Sequence, residues 1–307
     1  MLQPEQPVEL FYFTWRAPDR GFIWRDDLIS ETHFSGNREK PPYLVLHPES
    51  RQLGTPWVLP FDEPGNEQAP LFEQFARLAP TQDAIQAFAN QHGWLGIGGQ
   101  VHPPGPNARV QTGESLAQWR HEIGAMRLAT TLWRAVDWGH EQDSPVLVRW
   151  ETDRVTVTVR ARRGFPFVFH RGDWPYLFPR SHRADRKSPV LAALQQLLNK
   201  KLVDMASPCV VLDRRGNLNG RVRPRHLLGA LWVQLYQAIL GYRRIIPCRH
   251  CGELMDVTGG RSTKQAHFRC VHRVKMNRYL RHRVQKREEG TRQRHKPRNG
   301  KRSAGRT

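Results

Sequence analysis

The sequence predicts an α+β chain: a helix-dominated N-terminal domain with flanking strands, then a small cysteine-bearing module, then a disordered basic tail. Three observations predict it. Apolar residues recur at helical spacing between residues 70 and 241, and alternating β-prone runs flank them. After Pro247, three cysteines and a run of cations replace the apolar pattern. The predicted boundaries are 1–243 for the mixed domain, 244–287 for the module and 288–307 for the tail.

Residues 1–66 are rich in aromatics and proline (FYFTW, GFIW, PPYLVLHP, TPWVLPF), which reads as short strands and ordered loops covering the helices. The helical core begins at residue 70, where Leu71, Phe72, Phe75 and Leu78 repeat at helical spacing up to Pro80. Thr81 is placed to cap a second helix in which Ile85, Phe88 and Ala89 share a face, and Gly93 ends it. VHPPGPNARVQTG reads as a loop. A long amphipathic helix is expected from Glu114 to about Gly139, with Leu116, Trp119, Ile123, Met126, Leu132, Trp133 and Val136 on its apolar side.

VLVRWETDRVTVTVRA alternates and predicts a hairpin turning near Thr152–Asp153, and GFPFVFHRGDWPYLFPR reads as a strand with a loop in preference to a small binding surface. Ser188 is expected to cap a helix with Pro189 in its first turn, running to about Met205. CVVLDRRGNLNGRVRPR predicts two strands about a turn at Arg215–Gly216, with Cys209 buried at the start of the first. From Pro224 to Gly241 a strongly apolar helix delivers the chain into the module and ties the two together. Beyond about Arg287 no apolar face exists, so the tail is expected to be disordered.

The module opens with PCRHCG. Cys248 and Cys251 stand at Cys-x2-Cys spacing, whose short turn points both sulfurs at one ion, and Gly252 relieves the tight backbone. Cys270 follows, and then VHRVKMNRYLRHRVQK reads as a basic helix from about Val271. Zinc takes four ligands, so a histidine completes the set or the site is incomplete. Both His267, three residues before Cys270, and His272, two residues after it, are within reach by spacing. His250, inside the knuckle, reads as a solvent-facing neighbour.

The net charge of +20 is unevenly spread: residues 241–307 hold 20 Lys+Arg against 4 Asp+Glu, and residues 1–240 hold 28 against 24. A basic block of that density seeks a polyanion, usually a phosphate backbone. Of four cysteines three lie in the module and Cys209 stands alone, a pattern of a reducing compartment rather than a disulfide framework. No run of about 18 apolar residues and no signal-peptide pattern at the start are present, so a cytoplasmic location without membrane contact is expected.

The run from LAPTQDAIQAFANQHGWLG through ESLAQWRHEIGAMRLAT, LQQLLNKKL and LLGALWVQLYQAILGYRRIIPCRHCG to NRYLRHR resembles bacterial proteins that end in a treble-clef zinc finger. Its layout, over about residues 70–286, is similar to the CGNR zinc-finger proteins with their helical ABATE-like N-terminal domain. The family pattern places a further cysteine about four residues after the one at Cys270; that position here is Val274, and the Cys-Gly-Asn-Arg tetrapeptide itself is absent. The resemblance implies a treble-clef-like module, zinc as cofactor, DNA binding and transcriptional regulation.

Together these readings predict a zinc-dependent nucleic-acid-binding protein, a DNA-binding regulator, with DNA in preference to RNA as partner. Cys248, Cys251, Cys270 and His267 or His272 would hold the metal, and Arg273, Lys275, Arg278, Arg281, Arg283, Lys286 and Arg287 would meet phosphates. Tyr279 either stacks on a base or packs on the knuckle. The alternative is an adaptor whose zinc module binds a protein partner. An enzyme would have to draw on Asp26, Asp27, Glu31, His33 or the Glu114–His121–Glu122 group. No His-x3-His pair, Gly-rich phosphate loop or Gly-x-Ser-x-Gly elbow joins them, so no catalytic residue is assigned.

Overall fold

The computed structural model describes residues 14–18, 20–30, 33–34, 37–38, 42–50, 53–58, 69–104, 109–137, 145–160, 166–178, 186–212, 218–241, 245–252, 254–257 and 265–294. The described residues of the aromatic N-terminal stretch form seven short strands: β1 (Thr14–Pro18), β2 (Phe22–Arg25), β3 (Ile29–Ser30), β4 (His33–Phe34), β5 (Asn37–Arg38), β6 (Tyr43–Leu46) and β7 (Leu53–Val58). Two helices follow, α1 (Leu71–Arg77) and α2 (Gln82–His92). Then come β8 (Gly99–His102), β9 (Gln111–Ser115) and the long α3 (Leu116–Asp137). Three strands, β10 (Val146–Trp150), β11 (Arg154–Val159) and β12 (Phe167–His170), form an antiparallel sheet. The body closes with α4 (Lys187–Met205), the hairpin β13 (Ala206–Leu212) and β14 (Leu218–Pro224), and α5 (Leu227–Ile239). The module contributes β15 (Ile245–Pro247), β16 (Leu254–Asp256) and α6 (Phe268–Arg294). Among the described residues no helix is long and apolar enough to cross a membrane.

The expected mixed fold is therefore present, with α3 at its centre. Trp119, Ile123, Met126, Leu132 and Trp133 of α3 are buried against Phe72 and Phe75 of α1, Ile85 and Phe88 of α2, and Leu194 and Leu198 of α4. The same core includes Leu228, Leu231, Trp232 and Leu235 of α5, and Val155, Val157 and Phe169 from the three-stranded sheet. Each such side chain contributes roughly 1.5–3 kcal/mol on burial, so this cluster is the main source of stability. Trp24 packs on its edge and donates its indole N–H to the Gln82 carbonyl, so one N-terminal tryptophan covers the helices as expected.

Polar side chains fasten the helices at their ends. Gln234 of α5 accepts the Phe72 N–H at the start of α1, and Arg127 of α3 donates to the carbonyls of Ala76 and Leu78 at its finish. Buried Glu73 pairs with Arg77 and Arg134. Glu122 of α3 accepts from Lys201 of α4 at 2.6 Å, and the lysine lies over the Trp232 ring. Gly229 permits a close approach: a Cβ there would sit 2.2 Å from the Met205 carbonyl oxygen.

Several expectations need correction. The stretch read as a loop carries β8 and β9, which join β2, β6 and β3 in a five-stranded antiparallel sheet of order β2-β6-β9-β8-β3. Glu114 and Ser115 belong to β9, and α3 starts only at Leu116. The reason is a reciprocal cap: Ser115 Oγ accepts from the Gln118 N–H, while Gln118 Oε1 accepts from the Ser115 N–H. Thr81 stands at the N-cap of α2 without a side-chain cap bond, and Ser188 lies inside the first turn of α4 rather than before it. Pro224 ends β14, so α5 starts three residues later, capped by His226, whose Nδ1 accepts from the Gly229 N–H at 3.1 Å. Cys209 is half-buried. The Arg215–Gly216 turn lies outside the described residues.

Glu114 is the least expected of the body's residues. Its carboxylate is fully buried and accepts three backbone N–H groups in succession, from Leu95, Gly96 and Ile97, at 3.1, 2.6 and 3.1 Å. This pins the loop after α2, whose Leu95 carbonyl in turn accepts from the Leu228 N–H of α5. Burial pushes the carboxyl up to about 7, against the three amides that favour the charged form. A folded-state value above the unfolded one means the stabilising contribution is complete below about 4.5 and is lost as pH rises through 7, a loss of about 3 kcal/mol. Chemical denaturation of wild type and Glu114→Gln between pH 5 and 8 should show this decline in the wild type alone. Parallel pH profiles would refute it.

Candidate metal centre

The module is built from a strand pair, a turn and a helix start. β15 pairs with β16 antiparallel, with Ile245 opposite Asp256 and Pro247 opposite Leu254. Ile245 and Leu254 are buried in the main core, so the hairpin is tied to the body as expected. Its register leaves Cys248 and Cys251 in the turn. Gly252 adopts φ +70°, a left-handed conformation that favours glycine, and its N–H returns to the Cys248 carbonyl at 2.8 Å. The Arg249 N–H donates to the Gln265 carbonyl at 2.9 Å, drawing the knuckle against the segment that leads into α6.

α6 begins at Phe268, three residues earlier than expected. His267 immediately precedes it and its carbonyl accepts from the N–H groups of Cys270 and Val271, so imidazole and third thiol sit on the same helical turn. The outcome is a group of four donors, Cys248, Cys251, His267 and Cys270, whose ligating atoms all lie within 4.8 Å of one another. His267 Nδ1 is 3.4 Å from Cys251 Sγ and 4.0 Å from Cys270 Sγ. A tetrahedral ion with metal–sulfur and metal–nitrogen distances of about 2.3 and 2.1 Å needs sulfur–nitrogen separations of about 3.6 Å. The observed spacings fit. Three of the four residues are buried and Cys251 faces solvent.

The electrostatics favour thiolate. Burial alone would push the Cys248 thiol up, but backbone N–H groups of His250, His267 and Cys251, together with the Cys251 side chain, bring it down to about 6. Cys270 lies in the first turn of α6. The residues can therefore hold a metal ion.

Compared with protein-family models, curated proteins and solved structures, the chain matches none.

Of the two candidate histidines, the fold brings His267 to the cysteines. His272 is exposed on α6, its ring stacked 6.3 Å from that of Phe268. His250 is exposed, as expected. His267→Ala should therefore lower metal content sharply and His272→Ala should leave it intact, measured on purified full-length protein. Equal retention by both variants would contradict the assignment of His267.

Among the expected phosphate-binding residues, Arg273, Lys275, Arg278, Arg281 and Arg283 are all exposed on α6. Lys286 and Arg287 fall within its span, with side chains outside the described set. Tyr279 is 60% exposed, which settles its alternatives against packing on the knuckle. The helix continues to Arg294, past the expected boundary at 287; residues 295–307 lie outside the description. Of the acids and bases considered for catalysis, His121 and Glu122 are neighbours, with His121 Nε2 3.8 Å from Glu122 Oε1. Asp27 pairs with Arg25, Glu114 holds a loop and Glu122 holds Lys201, while Glu31 and the His33 side chain lie outside the described residues.

Proposed function

We infer that the chain is a zinc-ordered nucleic-acid-binding protein. The observation that carries this reading is α6. Its first turn carries Cys270 of the four-donor group, and beyond it the described side chains from His272 to Arg283 are exposed, with cations on every side. Three thiolates and one imidazole at tetrahedral spacing are a zinc donor set, and zinc would supply the cross-link that a module of this size cannot obtain from its own core. The knuckle followed by a helix that brings the last ligands supports the treble-clef reading.

The residues then have separate tasks. Cys248 and Cys251 anchor the knuckle, His267 and Cys270 fix where α6 starts and which way it leaves, and its cations attract phosphate. DNA binding in the service of transcription is the use this layout supports best, with the helical body as the regulatory part. A protein adaptor is favoured less, because α6 presents charge rather than a continuous apolar stripe. The test compares zinc-loaded and chelator-stripped full-length protein on a mixed-sequence DNA duplex at low salt. Binding by the loaded protein, weakened at least about tenfold on stripping, supports the reading, since α6 loses its fixed base without metal. Absence of binding in both forms would sink it.

A further inference from the structure

Resting on that reading, we propose that α6 enters the major groove of B-form duplex DNA, with Asn277, Arg273 and Arg281 toward the base edges and Arg278 and Arg283 toward the phosphates on either side. Helical spacing places Arg273, Asn277 and Arg281 at i, i+4 and i+8, so that Arg273 and Arg281 lie about 40° to either side of Asn277, on an arc of about 80°. From Asn277, Arg278 lies about 100° to one side and Arg283 about 120° to the other. All five are exposed.

Cations on opposite flanks are what a groove requires. A helix lying across phosphates from outside meets them on one face only, whereas a helix inside the groove has a phosphate row along each side. Its size fits: a helix with side chains is about 10–12 Å across, and the major groove is about 12 Å wide. Every described side chain from His272 to Arg283 is exposed, so no other described part of the protein covers this stretch. From His272 to Arg283 this exposed stretch of helix rises about 17 Å.

Of the exposed apolar residues of α6, Phe268, Met276 and Tyr279 lie about 100° or more from Asn277, and two border it. Val274 and Leu280, 37% and 49% exposed, lie about 60° to either side of Asn277. Both borders of the base-facing surface are thus apolar, which suits contact with thymine methyl groups. Asn277 carries an amide able to make the paired hydrogen bonds that identify adenine. The same residues argue against a partner helix. The heptad-spaced row Arg269, Arg273, Met276, Leu280, Arg283, Arg287 is apolar only at its middle pair, too short for a coiled-coil seam. Duplex RNA fits poorly as well, because its major groove is deep and narrow.

The experiment probes a mixed-sequence 30-base-pair DNA duplex with dimethyl sulfate at saturating zinc-loaded protein and low salt. Protection of guanine N7, in the major groove, with adenine N3 in the minor groove left reactive, is the expected result. A duplex RNA of the same sequence should compete at least about tenfold less well. In selection from a randomised DNA pool, Asn277→Ala should lose about tenfold preference for adenine at one position while its salt dependence stays unchanged. Binding without N7 protection, or equal competition by duplex RNA, overturns groove entry and leaves the nucleic-acid reading standing. Enrichment identical between wild type and Asn277→Ala overturns the base-facing assignment. No binding to any duplex at low salt defeats the nucleic-acid reading itself.

Discussion

Replacing Cys251 by serine is expected to release the metal and unfold the knuckle and the first turn of α6, while the helical body persists. The module's own cluster holds Cys248, Met255, Val257 and Cys270, with Ile246 and Ala266 packed beside them. Burying one methionine and one valine yields a few kcal/mol at roughly 1.5–3 kcal/mol each. That apolar burial is small beside the roughly 10–16 kcal/mol that a structural zinc site contributes. Hydrogen exchange gives the local readout. The N–H groups of Arg249, Gly252, Cys270 and Val271 are bonded within the module and should lose protection by orders of magnitude in Cys251→Ser. The Phe72 N–H, held by Gln234 in the body, should keep its protection. Metal-free protein in which the four module amides remain protected would show that the module folds without an ion.

The parts of this protein that were legible in its sequence are those in which one local pattern decides the structure. α3, α4 and α5 announce themselves because their apolar residues repeat at helical spacing over three or more turns, and all three bury those residues as expected. The β10–β11 hairpin is similarly explicit in its alternation. Strands β8 and β9 were hidden because their pairing is a tertiary fact. Gly99 stands opposite Gly113, and a Cβ on Gly113 would come within 2.8 Å of Val101 Cγ2, so the residues that look like loop are there for close strand approach. Glu114 read as a surface acid for the same reason: three amides from a loop eighteen residues upstream make its burial tolerable, and nothing near it in the chain signals them. The start of α3 was readable, since Ser115 and Gln118 have capping-box spacing. At the metal centre, Cys-x2-Cys and Cys270 were evident from spacing. The choice of histidine was not, because either side of Cys270 is within reach; it is decided by α6 starting at Phe268, which leaves His267 facing the knuckle and carries His272 away on the helix surface.

The affinity for a DNA duplex should fall steeply with salt, at a logarithmic slope near −5 if about six phosphates are neutralised, because each contact releases condensed counterions. Between 50 and 200 mM salt that slope amounts to a loss of about 10³-fold. The charge responsible lies at the end of the chain, since residues 1–240 hold 28 Lys+Arg against 24 Asp+Glu. Two variants separate its parts. Deleting residues 288–307 removes seven Lys+Arg, namely Arg292, Arg294, Lys296, Arg298, Lys301, Arg302 and Arg306, and should flatten the slope and weaken binding evenly across DNA sequences. Reversing charge with Arg278→Glu and Arg283→Glu removes two contacts on opposite flanks of α6, which should lessen the slope by about 2 and weaken binding at every salt concentration. Fewer residues are changed than in the deletion, yet each is set by an exposed helix whose origin is fixed at Cys270, so less ordering cost is incurred per contact. If binding at low salt is unchanged by the paired reversal, α6 is not the phosphate contact. A slope near zero in the wild type would mean that the basic C-terminus serves solubility, and the weight would move to the protein-adaptor reading.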